Sequence, residues 1–233
     1  MHTHVPRPMS RGLLGFEIAA VICLFVLEPF FVALASLFAT EWGEPSVAYD
    51  QTWLVARSFA VCVPVLYIMR RSGRAWEHFG ITRPAFMDLW LGFLMYVSYV
   101  VWMYVFWYGV YFVFGSDPVE GAAELADSHR GHAYSSGEVF LILLGSLATG
   151  AMEELAARAY LIPRLTEWLR SQALAIVVAA LIFASFHIYQ GAWNTVAILG
   201  MGLIYGVAFV LLRRVWPLAL GHALTNAILY LSE

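Results

Sequence analysis

A polytopic, all-α membrane bundle is the fold class the sequence predicts, on three observations. Hydrophobic residues make up 61% of the 233-residue chain and charged residues only 12%, which is far too apolar for a soluble domain of this size. The apolar residues gather into runs of about 20, the length at which an α-helix crosses a bilayer. Finally, arginines crowd alternate connecting segments and nearly vanish from the others, as expected of a chain that crosses repeatedly.

Seven spans can be drawn, over residues 13–38, 53–69, 86–114, 139–165, 173–189, 193–212 and 215–231. The first is too long for a signal-peptide core and lacks a small-residue cleavage site, so it is expected to stay as a span. The third and fourth are long enough to tilt or to project beyond the hydrocarbon. Between the last two stand little more than Arg213 and Arg214, so these form a tight hairpin.

Arg7 and Arg11 precede the first span. Arg70, Arg71, Arg74 and Arg83 join the second to the third, and Arg164 and Arg170 follow the fourth. All fall on one side, with Arg213 and Arg214; the opposite loops are acidic and hold Arg130 alone. The N-terminus is therefore expected in the cytoplasm and the C-terminus outside. In the sixth span, Gly202 and Gly206 make a small-xxx-small face for close helix approach.

The net charge of −3 gives no basic surface for nucleic acid. Cys23 and Cys62 lie in apolar runs and are read as packing residues, with no disulfide framework or zinc site. No repeat or soluble segment interrupts the chain, so 1–233 is read as one integral membrane domain, with a chemical core over 139–230.

That core carries ionisable groups where each must have a reason, because a charge at mid-bilayer costs at least about 2.5 kcal/mol. AMEELAARAY supplies Glu153, Glu154 and Arg158. Glu154 and Arg158 are four apart and can pair on one helix face. Glu153 is rotated about 100° away, so one carboxylate can neutralise the arginine while the other stays available. FASFH supplies Phe183 and His187, and HALTN supplies His222 and Asn226, again four apart on one face. Glu17, Glu28 and Arg57 form a looser group that pairs within the bundle or faces its cavity. His2, His4, His129 and His132 lie in the tail and an outer loop and are given no role.

A carboxylate and a histidine on neighbouring helices can hold and deprotonate a water. A histidine beside an asparagine can donate hydrogen bonds to the oxygen of a tetrahedral intermediate. Each cluster alone reads as a structural clamp or an interhelical hydrogen bond. Together they read as one functional site, because buried polar groups at this density are expensive to keep.

With these residues in hand, the chain resembles the CPBP family, the CAAX proteases and bacteriocin-processing enzymes, also called the Abi family. The motifs are EExxxR (Glu153, Glu154, Arg158), FxxxH (Phe183, His187) and HxxxN (His222, Asn226), in order on successive apolar helices. The resemblance implies an intramembrane endopeptidase acting on a membrane-associated protein or peptide. By that likeness Glu153 and His187 activate the water, His222 and Asn226 form the oxyanion hole, Glu154 and Arg158 support the site, and Phe183 lines its wall.

It also leaves a metallopeptidase alternative open, with Glu153, His187 and His222 ligating zinc. No HExxH is present, and the metal-free, cofactor-free reading is favoured. The absence of lysine and the compact size suggest a bacterial relative, in the inner membrane. The rival to proteolysis is a non-catalytic scaffold or immunity factor that binds a partner in the same polar cavity.

Overall fold

The computed structural model describes residues 10–36, 46–118 and 133–232, and these are helical with no strand among them. His2, His4, His129, His132, Arg7 and Arg130 lie outside the described residues. α1 spans Arg11–Ser36, α2 Val47–Arg71 and α3 Phe86–Phe114, with a 3-10 turn at Trp76–Phe79 before α3. α4 (Ser136–Glu154) runs through a π-helical segment, Leu155–Leu161, into α5 (Ile162–Leu169). α6 is Gln172–Ser185, α7 is Ala192–Leu212 and α8 is Trp216–Ser232.

The helix starts follow from local chemistry. Ser135 Oγ accepts from Glu138 N at 3.3 Å and Glu138 Oε2 accepts from Ser135 N at 2.9 Å, a reciprocal cap that fixes where α4 begins. At α3, Asp88 Oδ2 accepts from Ala85 N at 2.7 Å. The same carboxylate takes Arg214 through Nε at 2.6 Å and Nη2 at 2.7 Å. This bidentate pair ties the start of α3 to the α7–α8 hairpin. Arg170 and Arg213, at φ 58° and 53°, end α5 and α7 in the left-handed conformation usual just past a helix C-terminus.

Among the described residues, five helical stretches are long and apolar enough to cross a membrane: 11–31, α2, α3, the continuous 34-residue rod from Ser136 to Leu169, and α7. This is an integral membrane bundle. Of the other two expected spans, α6 is shorter than drawn and α8 has the length drawn, one residue further along. α6 has 14 residues and ends at Ser185, and α8 has 17, or about 21 and 26 Å at 1.5 Å per residue, short of a hydrocarbon core of about 30 Å. His187 therefore lies beyond the end of α6, in a turn leading to the 3-10 segment Ile188–Gln190, and not within a span.

α4 is the hub, packing most heavily on α8 and α2, while α3 covers the other side of α8 and α6 pairs with α7. Small residues allow these approaches. A Cβ on Gly150 would fall 2.8 Å from Ala223 N, so α4 meets the backbone of α8 there. A Cβ on Gly221 would fall 2.7 Å from Gly92 O, so α3 meets α8 on the opposite side. Gly202 and Gly206 face Ala180 and Ile176 of α6, the close contact that their spacing predicts.

Candidate active site

The contact at Gly150 sets the register that brings the polar groups together. One turn along α4 from it, Glu153 and Glu154 reach His222 on α8. His222 Nδ1 lies 2.8 Å from Glu154 Oε1, and its Nε2 lies 3.5 Å from Glu153 Oε2. The histidine thus bridges two adjacent carboxylates. Arg158 Nη1 donates to the same Glu154 oxygen at 2.9 Å. Glu154 therefore carries the arginine, whereas Glu153 has the His222 ring as its one close polar neighbour among the described residues. Glu153, Glu154, Arg158 and His222 are all at least nine-tenths buried.

Arg158 owes its placement to the π-helical segment. Proline at 163 has no N–H to give Ala159, and its ring would crowd that carbonyl in a regular helix. Widening to π geometry over Leu155–Leu161 relieves the conflict just before the proline. The guanidinium then sits 4.2 Å above the ring of Phe183 and 5.7 Å from that of Tyr205, where a cation gains from the negative ring face. Neither the π-helical turn nor Tyr205 was foreseen from the sequence. Pro163 within an apolar helical run was the available sign of the first; nothing in a single sequence marks the second.

His187 reaches the site from the turn after α6. Its ring lies against Phe183 and Phe186, with centroids 4.9 and 4.4 Å away. Phe186 in turn meets Phe25 of α1 edge-on at 5.2 Å. His187 Nδ1 is 2.9 Å from the Phe183 carbonyl. A carbonyl can only accept, so Nδ1 holds the proton and Nε2 presents a lone pair. His187 is within electrostatic reach of Glu153, His222 and Arg158, and it is only partly buried.

Asn226 lies one turn beyond His222 on the same face of α8, half-buried and without a hydrogen bond among the described residues. Phe183 is buried, with its ring also 6.1 Å from that of His222. The structure thus gathers Glu153, Glu154, Arg158, Phe183, His187 and His222 into one cluster, with Asn226 adjoining it on α8.

Depth works out through stagger. Glu153 stands sixteen residues before the end of α5, while His222 is only six residues into α8. Because the two touch, the end of α5 and the start of α8 are offset by about 15 Å along the axis. Glu17, Glu28 and Arg57 lie elsewhere. Arg57 Nε donates to Glu28 Oε2 at 2.7 Å, and Glu17 pairs with Arg164.

Among the described residues, no three His, Cys, Asp or Glu side chains are arranged to hold a metal ion.

The all-helical membrane bundle thus gathers carboxylates and imidazoles in its interior. Residues 135–228 match the family described as Type II CAAX prenyl endopeptidase Rce1-like, in agreement with the resemblance carried by the three motifs. The match supports a CAAX-type intramembrane endopeptidase as the general activity. No curated protein and no solved structure matches the chain.

Proposed function

We propose that this protein hydrolyses a peptide bond of a membrane-associated protein or peptide by carboxylate-activated water, without a metal. The observation that carries the reading is the division of labour between neighbouring carboxylates. Glu154 is engaged by Arg158 and His222, and Glu153 is left free beside an imidazole. A free, buried carboxylate is placed to act as a base on a water held beside it.

In this reading Glu153 takes a proton from the water, oriented also by the lone pair on His187 Nε2. The oxygen attacks the peptide carbonyl carbon, and negative charge develops on the carbonyl oxygen. His222 Nε2 and the Asn226 amide donate to that oxygen, a role that needs protons on both His222 nitrogens. The Glu154–Arg158 pair holds His222 in place from the Nδ1 side. Glu153 then returns its proton to the departing amine, which leaves the carboxylate product on the other fragment. Phe183 forms the apolar wall that fixes both histidines.

In this reading the N-terminus is cytoplasmic, from the arginine distribution, and the membrane is a bacterial inner membrane, from the absence of lysine and the compact size.

The experiment is a comparison of protein termini in membranes containing the wild-type chain or Glu153→Gln, followed by cleavage of the identified substrate with purified protein. New termini that vanish in the variant, and cleavage that survives a strong chelator, are expected. Identical termini in the two membranes would favour the binding-only scaffold. Loss of activity with chelator and recovery with zinc would replace the metal-free mechanism.

A further inference from the structure

The face of α4 that carries Glu153 continues away from the site through Thr149 and Ser146, three and four residues apart and so in one line. Both hydroxyls are buried, and neither has a hydrogen-bond partner among the described residues. That sets them apart from the other hydroxyls on helices here. Thr52, Ser58, Ser98, Thr166 and Thr225 each donate back to a carbonyl of the preceding turn, at 2.7 to 3.0 Å, as intrahelical Ser and Thr usually do.

Gln51 of α2 is 1% exposed, and its Oε1 is likewise buried and without a partner among the described residues. The side chain lies so close to α4 that a Cβ on Gly145 would collide with that oxygen. Among the described residues, three unpartnered polar atoms therefore lie on α4 and on the α2 side chain that meets it at Gly145, next to Ser146 and one turn from Thr149, and this polar seam begins one helical turn from Glu153. Leaving each of them dry costs about 1–3 kcal/mol, and a buried polar seam is where ordered water resides.

We infer that Gln51, Ser146 and Thr149 line a buried water site that opens onto Glu153. The first water bridges the Thr149 hydroxyl and the Glu153 carboxylate, which stand four residues apart on one helix face. Further waters occupy the seam past Ser146 to Gln51, which lies close to the α2 N-terminus. The hydrolytic water is thereby supplied and oriented from the α2–α4 side, while the peptide approaches from the side of the histidines. Thr149 is a positioning residue for the reaction. The role as supply rests on the proposed hydrolysis; the water site itself does not.

The test has two arms on the full-length protein. An experimental structure at a resolution that shows water is expected to hold ordered density within hydrogen-bond distance of both Thr149 Oγ1 and Glu153; a dry seam overturns the inference. In the second arm Thr149→Val, close in volume but without the hydroxyl, is expected to lower kcat by roughly threefold to tenfold, the worth of one hydrogen bond, at unchanged KM. Thr149→Ser is expected to restore it. A Val variant that works at full rate, or a Ser variant as slow as Val, overturns the supply role. If the wild-type protein cleaves nothing, the proposed function fails, and the density still decides whether the water site exists.

Discussion

Arg158 and Arg164 lie six residues apart on one helical rod, and each is 2% exposed, yet their surroundings differ. Every nitrogen of the Arg164 guanidinium reaches a carboxylate: Nε and Nη2 donate to Glu17 at 3.1 and 2.8 Å, and Nη1 to Glu167 at 2.7 Å. Tyr160 adds a bond to Glu17 at 2.8 Å, and Glu167 is further paired with Arg74 at 2.9 Å. This network joins α1, α5 and the segment after α2. Around Arg158, by contrast, Nη2 and Glu154 Oε2 are buried without hydrogen-bond partners among the described residues, and Glu153 has the His222 imidazole at 3.5 Å.

Under the proposed function, the difference separates a clamp from a reactive centre. A buried charge whose hydrogen bonds are all taken holds elements together and has nothing left with which to meet a substrate. A centre that keeps groups unspent pays in stability for the capacity to react. The strongest way to break the comparison is therefore to separate activity from stability.

Glu153→Gln is expected to lower the cleavage rate by about a thousandfold, the upper range for losing a general base. The unfolding midpoint should barely move. A variant that cuts normally would end the assignment of Glu153.

Arg164→Met leaves Glu17 without its cation and is expected to cost about 3–5 kcal/mol of stability, read as a lower unfolding temperature in detergent. Activity per folded molecule should persist; a stable but inactive variant would show that the two centres are not separable.

Asn226→Ala is expected to reduce kcat by about a hundredfold at similar KM, the scale of one oxyanion donor. An effect confined to KM would move Asn226 from transition-state stabilisation to substrate binding.

The smallest effect is expected at Asp88→Asn. Its partner Arg214 is a quarter exposed, so weakening the pair should cost about 1 kcal/mol and leave the pH dependence of cleavage unchanged. The hydrogen bond to the same carboxylate raises the Arg214 guanidinium above its ordinary pKa.

The one-dimensional pattern determined much of this molecule. Run length and composition identify the helices, because a bilayer demands a continuous apolar stretch and satisfied backbone hydrogen bonds whatever the tertiary detail. The third span, residues 86–114, coincides with α3 residue for residue. The spacing of Glu154 and Arg158 likewise follows from helical repeat alone. Periodicity could not reveal where α6 stops, since the apolar run continues past Ser185 to Tyr189. Nor could it show that Pro163 would be accommodated by a π-helical turn, because a proline conflict can equally be relieved by a kink or a helix end.

Tertiary structure alone decided which groups meet. His222 lies 68 residues from Glu154, and no local rule selects that carboxylate over Glu17 or Glu28. The choice is made by Gly150 against Ala223, by the stagger of the rod beyond α8, and by Glu17 being claimed by Arg164. Interhelical registry depends on the fit of whole surfaces, and that information is distributed along every helix rather than held in any motif.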